Sequence, residues 1–389
     1  MKNMAISSVL TLLFALFIGI YINLVEVPQE LDFSDQELTE RHGFNSTEHY
    51  VTTSDGYVIR GIRIFKGTPK GPPVVFFQYP VASTDVFLVN KDTRPPALKV
   101  ADEGFDVWII STRDNIKSRQ HIKYSNDSSE YWDFSFAHVA QFDLPAWIDS
   151  ILQETSAPKL GFLGYGYGAT ALTHLVAAKP HYSELIGLFA SIASAGDHFA
   201  CNSWAMKLMI SEPLINAMKL VGKRYMMEPA TKTFYRALTA FPLLARFMTK
   251  DRFDPYINGD NPEAIPYYAY KFNGGINSEV MRYIGKQTFK PHSLNLMHDF
   301  GEETNKLIYN DTTPLVFSYH HLNTNIALIG GKHDKIVTPE NIAIYSKFLP
   351  RSNIVFYKVD YETDHGGFLF SKNQEYLKDL IQLLSKHLS

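Results

Sequence analysis

The sequence predicts an α/β fold, a mostly parallel β-sheet flanked by helices and carrying one largely helical insertion. Three observations predict it. Short, continuously apolar runs recur along the chain, helical stretches lie between several of them, and this rhythm breaks between about 200 and 310 before resuming. Strands covered on both faces read as unbroken apolar runs, and intervening helices imply parallel crossovers.

At 389 residues the chain exceeds the usual single-domain size, so one enlarged domain or two domains are expected. The stretch from Met4 to Val25 is uncharged. It is long enough to cross a bilayer as a helix, which takes about 20 residues. A removed signal peptide is the alternative, although no small-x-small site precedes Glu26. A buried terminal core helix is the third reading. Either of the first two sends the chain into the secretory pathway. Lys2 before the segment, and Glu26, Glu30 and Asp32 after it, favour a lumenal or extracellular body. If the segment is cleaved, the protein is secreted or lysosomal. Three Asn-x-Ser/Thr triplets, at Asn45, Asn126 and Asn310, are glycosylation candidates that suit this compartment. The single cysteine, Cys201, cannot form an intrachain disulfide and reads as structural.

Residues 26–42 are acidic and polar, and read as a stalk or linker. Next, His49–Thr53 and Tyr57–Phe65 flank Asp55-Gly56, a hairpin signature. Strands are expected over Val74–Gln78, Phe105–Ser111, Leu160–Gly164, Ile186–Ile192, Ile326–Ile329 and Ile354–Val359, with helices over Val139–Gln153 and Ala169–Ala178. Domain boundaries follow: a signal anchor or signal peptide over 1–30, the α/β core over 31–199 and 311–389, and a helical cap over 200–310. The cap's methionines and phenylalanines, such as Met206, Met209, Phe241 and Phe247, read first as its own packing and second as the lining of a lipid site. The net charge of −3, with no cationic cluster, argues against a nucleic-acid partner.

In a parallel α/β sheet, reactive groups sit on loops at the carboxyl ends of strands. Nucleophilic hydrolysis on such a sheet needs a serine at a strained strand-to-helix turn, Gly-x-Ser-x-Gly. It also needs a carboxylate and then a histidine further along the chain. Leu160-Gly161-Phe162-Leu163-Gly164-Tyr165-Gly166-Tyr167-Gly168 has the form of that turn, with Gly166 where the serine belongs. A dinucleotide loop is the competing reading. It wants Gly-x-Gly-x-x-Gly and a later acidic residue ending a strand, whereas the candidate Glu184 precedes one. Asp334 follows a late strand and His365 follows the last, in the order an Asp–His pair requires. Taken singly, these could be a helix-capping Asp and a loop histidine.

These residues resemble the acid lipase family, which includes gastric lipase, lysosomal acid lipase and steryl ester hydrolases, within the α/β-hydrolase superfamily. The resemblance extends to His42-Gly43 through Tyr57, to Gly104–Trp108, to Ser111-Thr112-Arg113-Asp114-Asn115, to Tyr131–Phe136 and to Phe142-Asp143-Leu144-Pro145-Ala146. It implies an α/β-hydrolase fold, hydrolysis of triacylglycerols or cholesteryl esters, a mobile cap, and neither cofactor nor metal. It places Gly166 at the nucleophile position, Asp334 at the orienting acid and His365 at the base. It makes the Tyr167 N–H one oxyanion donor. Val81 supplies the second, in Tyr79-Pro80-Val81-Ala82, where the family has His-Gly and then leucines. The family's cap cysteine pair is missing.

The expected function is an acid-lipase-like protein of neutral lipid metabolism that has lost its nucleophile, a non-catalytic, lipid-binding or regulatory pseudo-lipase. Its expected partners are a neutral lipid or fatty acyl ligand, the membrane through the N-terminal segment, and a possible protein partner. The alternative is an active carboxylic ester hydrolase working through a water activated by Asp334 and His365, or through an unforeseen nucleophile. A purely structural, partner-regulating module is the third reading.

Overall fold

A computed structural model describes residues 11, 15–69, 71–80, 83–196, 201–220, 225–226, 231–272, 274–289 and 297–388. Its centre is a nine-stranded sheet. The eight main strands are β1 (Asn45–Thr52), β2 (Tyr57–Phe65), β3 (Pro73–Tyr79), β4 (Asp106–Ile110), β5 (Leu160–Gly166), β6 (Ile186–Ile192), β7 (Asn325–Gly331) and β8 (Ile354–Tyr361). They run in the order β1-β2-β4-β3-β5-β6-β7-β8, and the two-residue strand Gln120–His121 pairs with β2. β1, β2 and β4 pair antiparallel, and every pairing from β4 through β3 to β8 is parallel. β3 to β6 are buried throughout except Gln78, as their unbroken apolar runs predict.

Both faces of the sheet are covered. Two glycines on β5, an odd number of residues apart and therefore on opposite faces, show how closely. A Cβ on Gly161 would meet Leu384 of the C-terminal helix Glu375–Leu388 at 2.9 Å, and one on Gly164 would meet Ala169 of helix Tyr167–Ala178 at 2.4 Å. The expected helix over Val139–Gln153 opens with a π turn, Val139–Asp143, and continues as helix Leu144–Thr155. Between β6 and β7 the described chain is mainly helical, from Trp204–Met209 through Ser278–Phe289 to Glu302–Tyr309, with a two-residue ladder between Tyr225–Met226 and Ile276–Asn277.

The stalk expected over 26–42 is a correction. A turn of 3₁₀ helix at Gln29–Asp32 leads to helix Asp35–Glu40, which is fixed by a capping box at Ser34. Leu31 and Leu38 are buried against the core. Asp35, also buried, accepts from Arg60 Nη1 at 2.7 Å and from Lys117 Nζ at 2.8 Å. A segment polar in composition thus packs because two leucines and one paired carboxylate face inward.

Of the proposed membrane segment, residues 4–10 and 12–14 lie outside the described residues. Residues 15–23 are helical, with Leu16, Phe17 and Ile20 exposed. No helix among the described residues is long and apolar enough to cross a membrane. Asn45, Asn126 and Asn310 are all exposed.

Candidate active site

β5 runs straight into helix Tyr167–Ala178, with Gly166 at the junction in a conformation, φ 57° and ψ −131°, that costs an L side chain energy and glycine none. The flanking glycines are needed for space. A Cβ on Gly164 would collide with the Ala169 backbone, and one on Gly168 would come within 2.4 Å of the Phe77 carbonyl oxygen. At Gly166 the situation differs, because a Cβ there would meet only the Tyr79 carbonyl oxygen, at 3.3 Å.

The ends of four parallel strands converge on this turn. Tyr79, the last residue of β3, is directly paired with Gly166. Asp334 follows β7 and His365 follows β8, and their loops are laced together by Lys332 N donating to the Tyr361 oxygen and His333 N to the Thr363 oxygen. His365 Nδ1 lies 2.8 Å from Asp334 Oδ2, while Asp334 Oδ1 accepts from Ile336 N and Val337 N at 2.8 Å each. Those bonds fix the carboxylate, and the carboxylate holds the ring by Nδ1. Tyr165 donates its hydroxyl to the His365 carbonyl oxygen at 2.5 Å, tying the histidine loop to β5.

Gly166, Tyr167 and His365 line one cavity of about 40 Å³, together with Gln78, Pro80, Arg252 and an apolar wall that includes Met206, Met209, Met281 and Ile284. Among the described residues lining it there is no Ser, Thr or Cys. Its phenols come from Tyr79, which donates to Asp114 Oδ2 at 2.9 Å, and from Tyr167. Cys201 is buried, and burial pushes its thiol up to about 11, as suits a structural cysteine. Val81, the other expected oxyanion donor, lies outside the described residues. A larger cavity of about 480 Å³, between Phe134–His138 and helix Ser278–Phe289, contains none of the expected site residues.

Neither Arg252 nor the lining role of Ile336 and Val337 was visible in the sequence. The Met206–Ile210 run, whose methionines read first as cap packing, supplies three lining residues, Met206, Met209 and Ile210. No group of three or more His, Cys, Asp or Glu residues able to hold a metal occurs among the described residues.

Beside the histidine, Asp364 is 1% exposed and accepts from Asp254 N at 2.5 Å and Gly367 N at 2.8 Å. Burial pushes its carboxyl up from 3.8 to about 7. A folded-state value above the unfolded one means that the folded protein holds the extra proton inside this window. The residue's contribution to stability therefore falls as pH rises from about 4 to about 7. Asp364→Asn lacks this term. The urea midpoint of the variant, measured against the parent at pH 4 and pH 8, is expected to move in the variant's favour at the higher pH, by at most about 1.4 kcal/mol per pH unit. A gap independent of pH would contradict the assignment.

A family model described as a partial alpha/beta-hydrolase lipase region matches residues 36–90. The chain is 26% identical to gastric triacylglycerol lipase of Mus musculus over 392 residues, covering 95% of each chain. It is likewise 26% identical to lipase member K of Homo sapiens, covering 92% of each. Lipase 1 of Drosophila melanogaster is 32% identical over 170 residues, 43% of this chain and 38% of that one. Among solved structures, a thermophilic esterase from Thermogutta terrifontis superimposes with a TM-score of 0.53 at 14% identity, covering 88% of this chain and 100% of that one. A bacterial membrane phospholipase A superimposes with a TM-score of 0.52 at 13% identity over 99% of each. Those likenesses bear on the fold alone, which is that of the α/β-hydrolases.

Proposed function

We propose that this chain, which belongs to the acid lipase family of the α/β-hydrolase superfamily, is a non-catalytic pseudo-lipase that binds a neutral lipid or fatty acyl chain, or regulates a protein partner, in neutral lipid metabolism. One observation carries the reading. At the bend where an acyl-enzyme ester would form stands Gly166, and the cavity around it is lined by no aliphatic hydroxyl or thiol among the described residues. Without an oxygen or sulfur there, no covalent intermediate can split the hydrolysis into two easier steps. The helical segment over 200–310 acts in this reading as the cap, and its methionines form an adaptable wall for an acyl chain. The body is placed in the secretory pathway, anchored or released, with glycans at Asn45, Asn126 and Asn310.

The test is covalent labelling and ligand content. Purified protein exposed to a fluorophosphonate is expected to carry no adduct, and its organic extract is expected to contain lipid by mass spectrometry. An adduct on a cavity residue would end the proposal. Absence of lipid would favour the purely partner-regulating module.

A second reading draws support from the His365–Asp334 contact at 2.8 Å and from a cavity roomy enough for water, which takes about 10–15 Å³. In it, His365 activates that water for slow, direct ester hydrolysis. It predicts acyl-ester turnover that disappears in His365→Ala, and equal rates in parent and variant would remove it.

A further inference from the structure

We propose that the ligand of this cavity is an anionic amphiphile, a long-chain free carboxylate whose head is held by the Arg252 guanidinium beside His365. This rests on the lipid-binding reading above and narrows it, since a neutral ester would leave that cation unanswered.

Arg252 sits in the turn between helices Pro242–Thr249 and Pro255–Asn258, and its backbone is tied to the site. Its carbonyl accepts from Gly366 N at 2.5 Å, immediately after the histidine. Its guanidinium stacks on the Phe272 ring, 4.3 Å from the centroid, and both residues line the cavity that holds Gly166 and His365. Among the described residues no carboxylate forms an ion pair with it. The nearby carboxylates are engaged elsewhere: Asp251 with the Ser203 hydroxyl at 2.9 Å, Asp254 with Arg246 at 3.4 Å, Asp334 with His365, and Asp364 with two backbone N–H groups. Burial lowers its affinity for a proton, but a guanidinium stays charged in any protein.

Arg252 is half-buried, and an anionic ligand entering the cavity supplies the counterion that no carboxylate among the described residues gives it. The planar fork of arginine matches a carboxylate with two parallel hydrogen bonds, whereas an ester offers one neutral carbonyl. His365 Nδ1 donates to Asp334, so Nε2 serves as the second polar contact when one further proton lies between it and the ligand's carboxyl group. The volume of about 40 Å³ suits a head group of that size. Gly166 contributes no side chain to it. Apart from Gln78 and the tyrosines, the rest of the wall is apolar, and three of its members, Met206, Met209 and Met281, can change rotamer to admit an acyl chain.

The experiment is equilibrium binding of tritiated palmitate and tritiated methyl palmitate to the full chain and to Arg252→Gln and Arg252→Lys. Palmitate is expected to bind at least about tenfold more tightly than its methyl ester. Arg252→Gln should lose roughly 10- to 100-fold for palmitate and stay within about twofold for the ester, and Arg252→Lys should recover part of the loss. The comparison of the two ligands on the unaltered chain stands even if a variant fails to fold. Equal affinity for acid and ester, or an undiminished preference in Arg252→Gln, would overturn the charge recognition and leave lipid binding intact. Failure to bind either ligand would overturn lipid binding, and this inference with it.

Discussion

Gly166→Ser is expected to convert the protein into a measurable esterase, raising turnover of a short-chain ester by at least about 10²-fold over the parent. Removing a triad serine costs about 10⁶-fold elsewhere and leaves ~10³–10⁴ over water, so a large interval is open to recovery. The bend already has the backbone a nucleophile elbow requires, with φ 57° and ψ −131°. The space is adequate too, since the new Cβ would sit 3.3 Å from the Tyr79 carbonyl oxygen, a contact that a few tenths of an ångström relieve. A non-glycine residue in this region costs about 1–3 kcal/mol, so the variant should also unfold at lower urea than the parent. Adding His365→Ala should return the rate to background. If Gly166→Ser folds and remains inactive, the oxyanion donors are not positioned for chemistry, and the site has diverged beyond one residue.

The second large effect concerns the frame that supports the site. Arg113 is wholly buried between two carboxylates. It reaches Asp143 through Nε at 2.9 Å and Asp55 through Nη1 at 2.6 Å, with the Tyr57 ring centroid 3.9 Å away. Asp143 also accepts from Arg113 N at 3.0 Å. Arg113→Ala would strand Asp143, which has no exposure, and breaking a buried pair in this way costs about 3–5 kcal/mol. Burial pushes Asp143 up to about 6 even with Arg113 present, so below that value the stranded carboxyl can take a proton. The loss measured by urea denaturation should therefore be smaller at pH 5 than at pH 8. A change under about 1 kcal/mol at pH 8 would show that the pair contributes packing and little more.

Several of the stretches that carry the resemblance contribute to one buried cluster. Asp55 in the hairpin, Arg113 in Ser111–Asn115, Tyr131 in Tyr131–Phe136 and Asp143 in Phe142–Ala146 are far apart in sequence. They meet in one cluster, in which Tyr131 also donates its hydroxyl to the Arg113 carbonyl oxygen at 2.7 Å. Asp114, next along, accepts from Tyr79 at the end of β3, which links the cluster to the bend at Gly166.

By itself, the sequence determined whatever depends on neighbours a few positions apart. Apolar runs located the strands from β3 to β8, the three spaced glycines marked the sharp bend, and chain order set Asp334 and His365 after late strands. Backbone conformation and strand burial are local properties, so they leave a local pattern. The tertiary structure alone decided which distant side chains meet. Arg252, flanked by Asp251 and Phe253, reads as an ordinary surface cation until the fold brings it against Phe272 and the histidine loop. Residues 26–42 read as a polar stalk until Arg60 and Lys117 are found to answer Asp35. The energy of a charge depends on what surrounds it in space, and that surrounding is assembled from residues tens to hundreds of positions away.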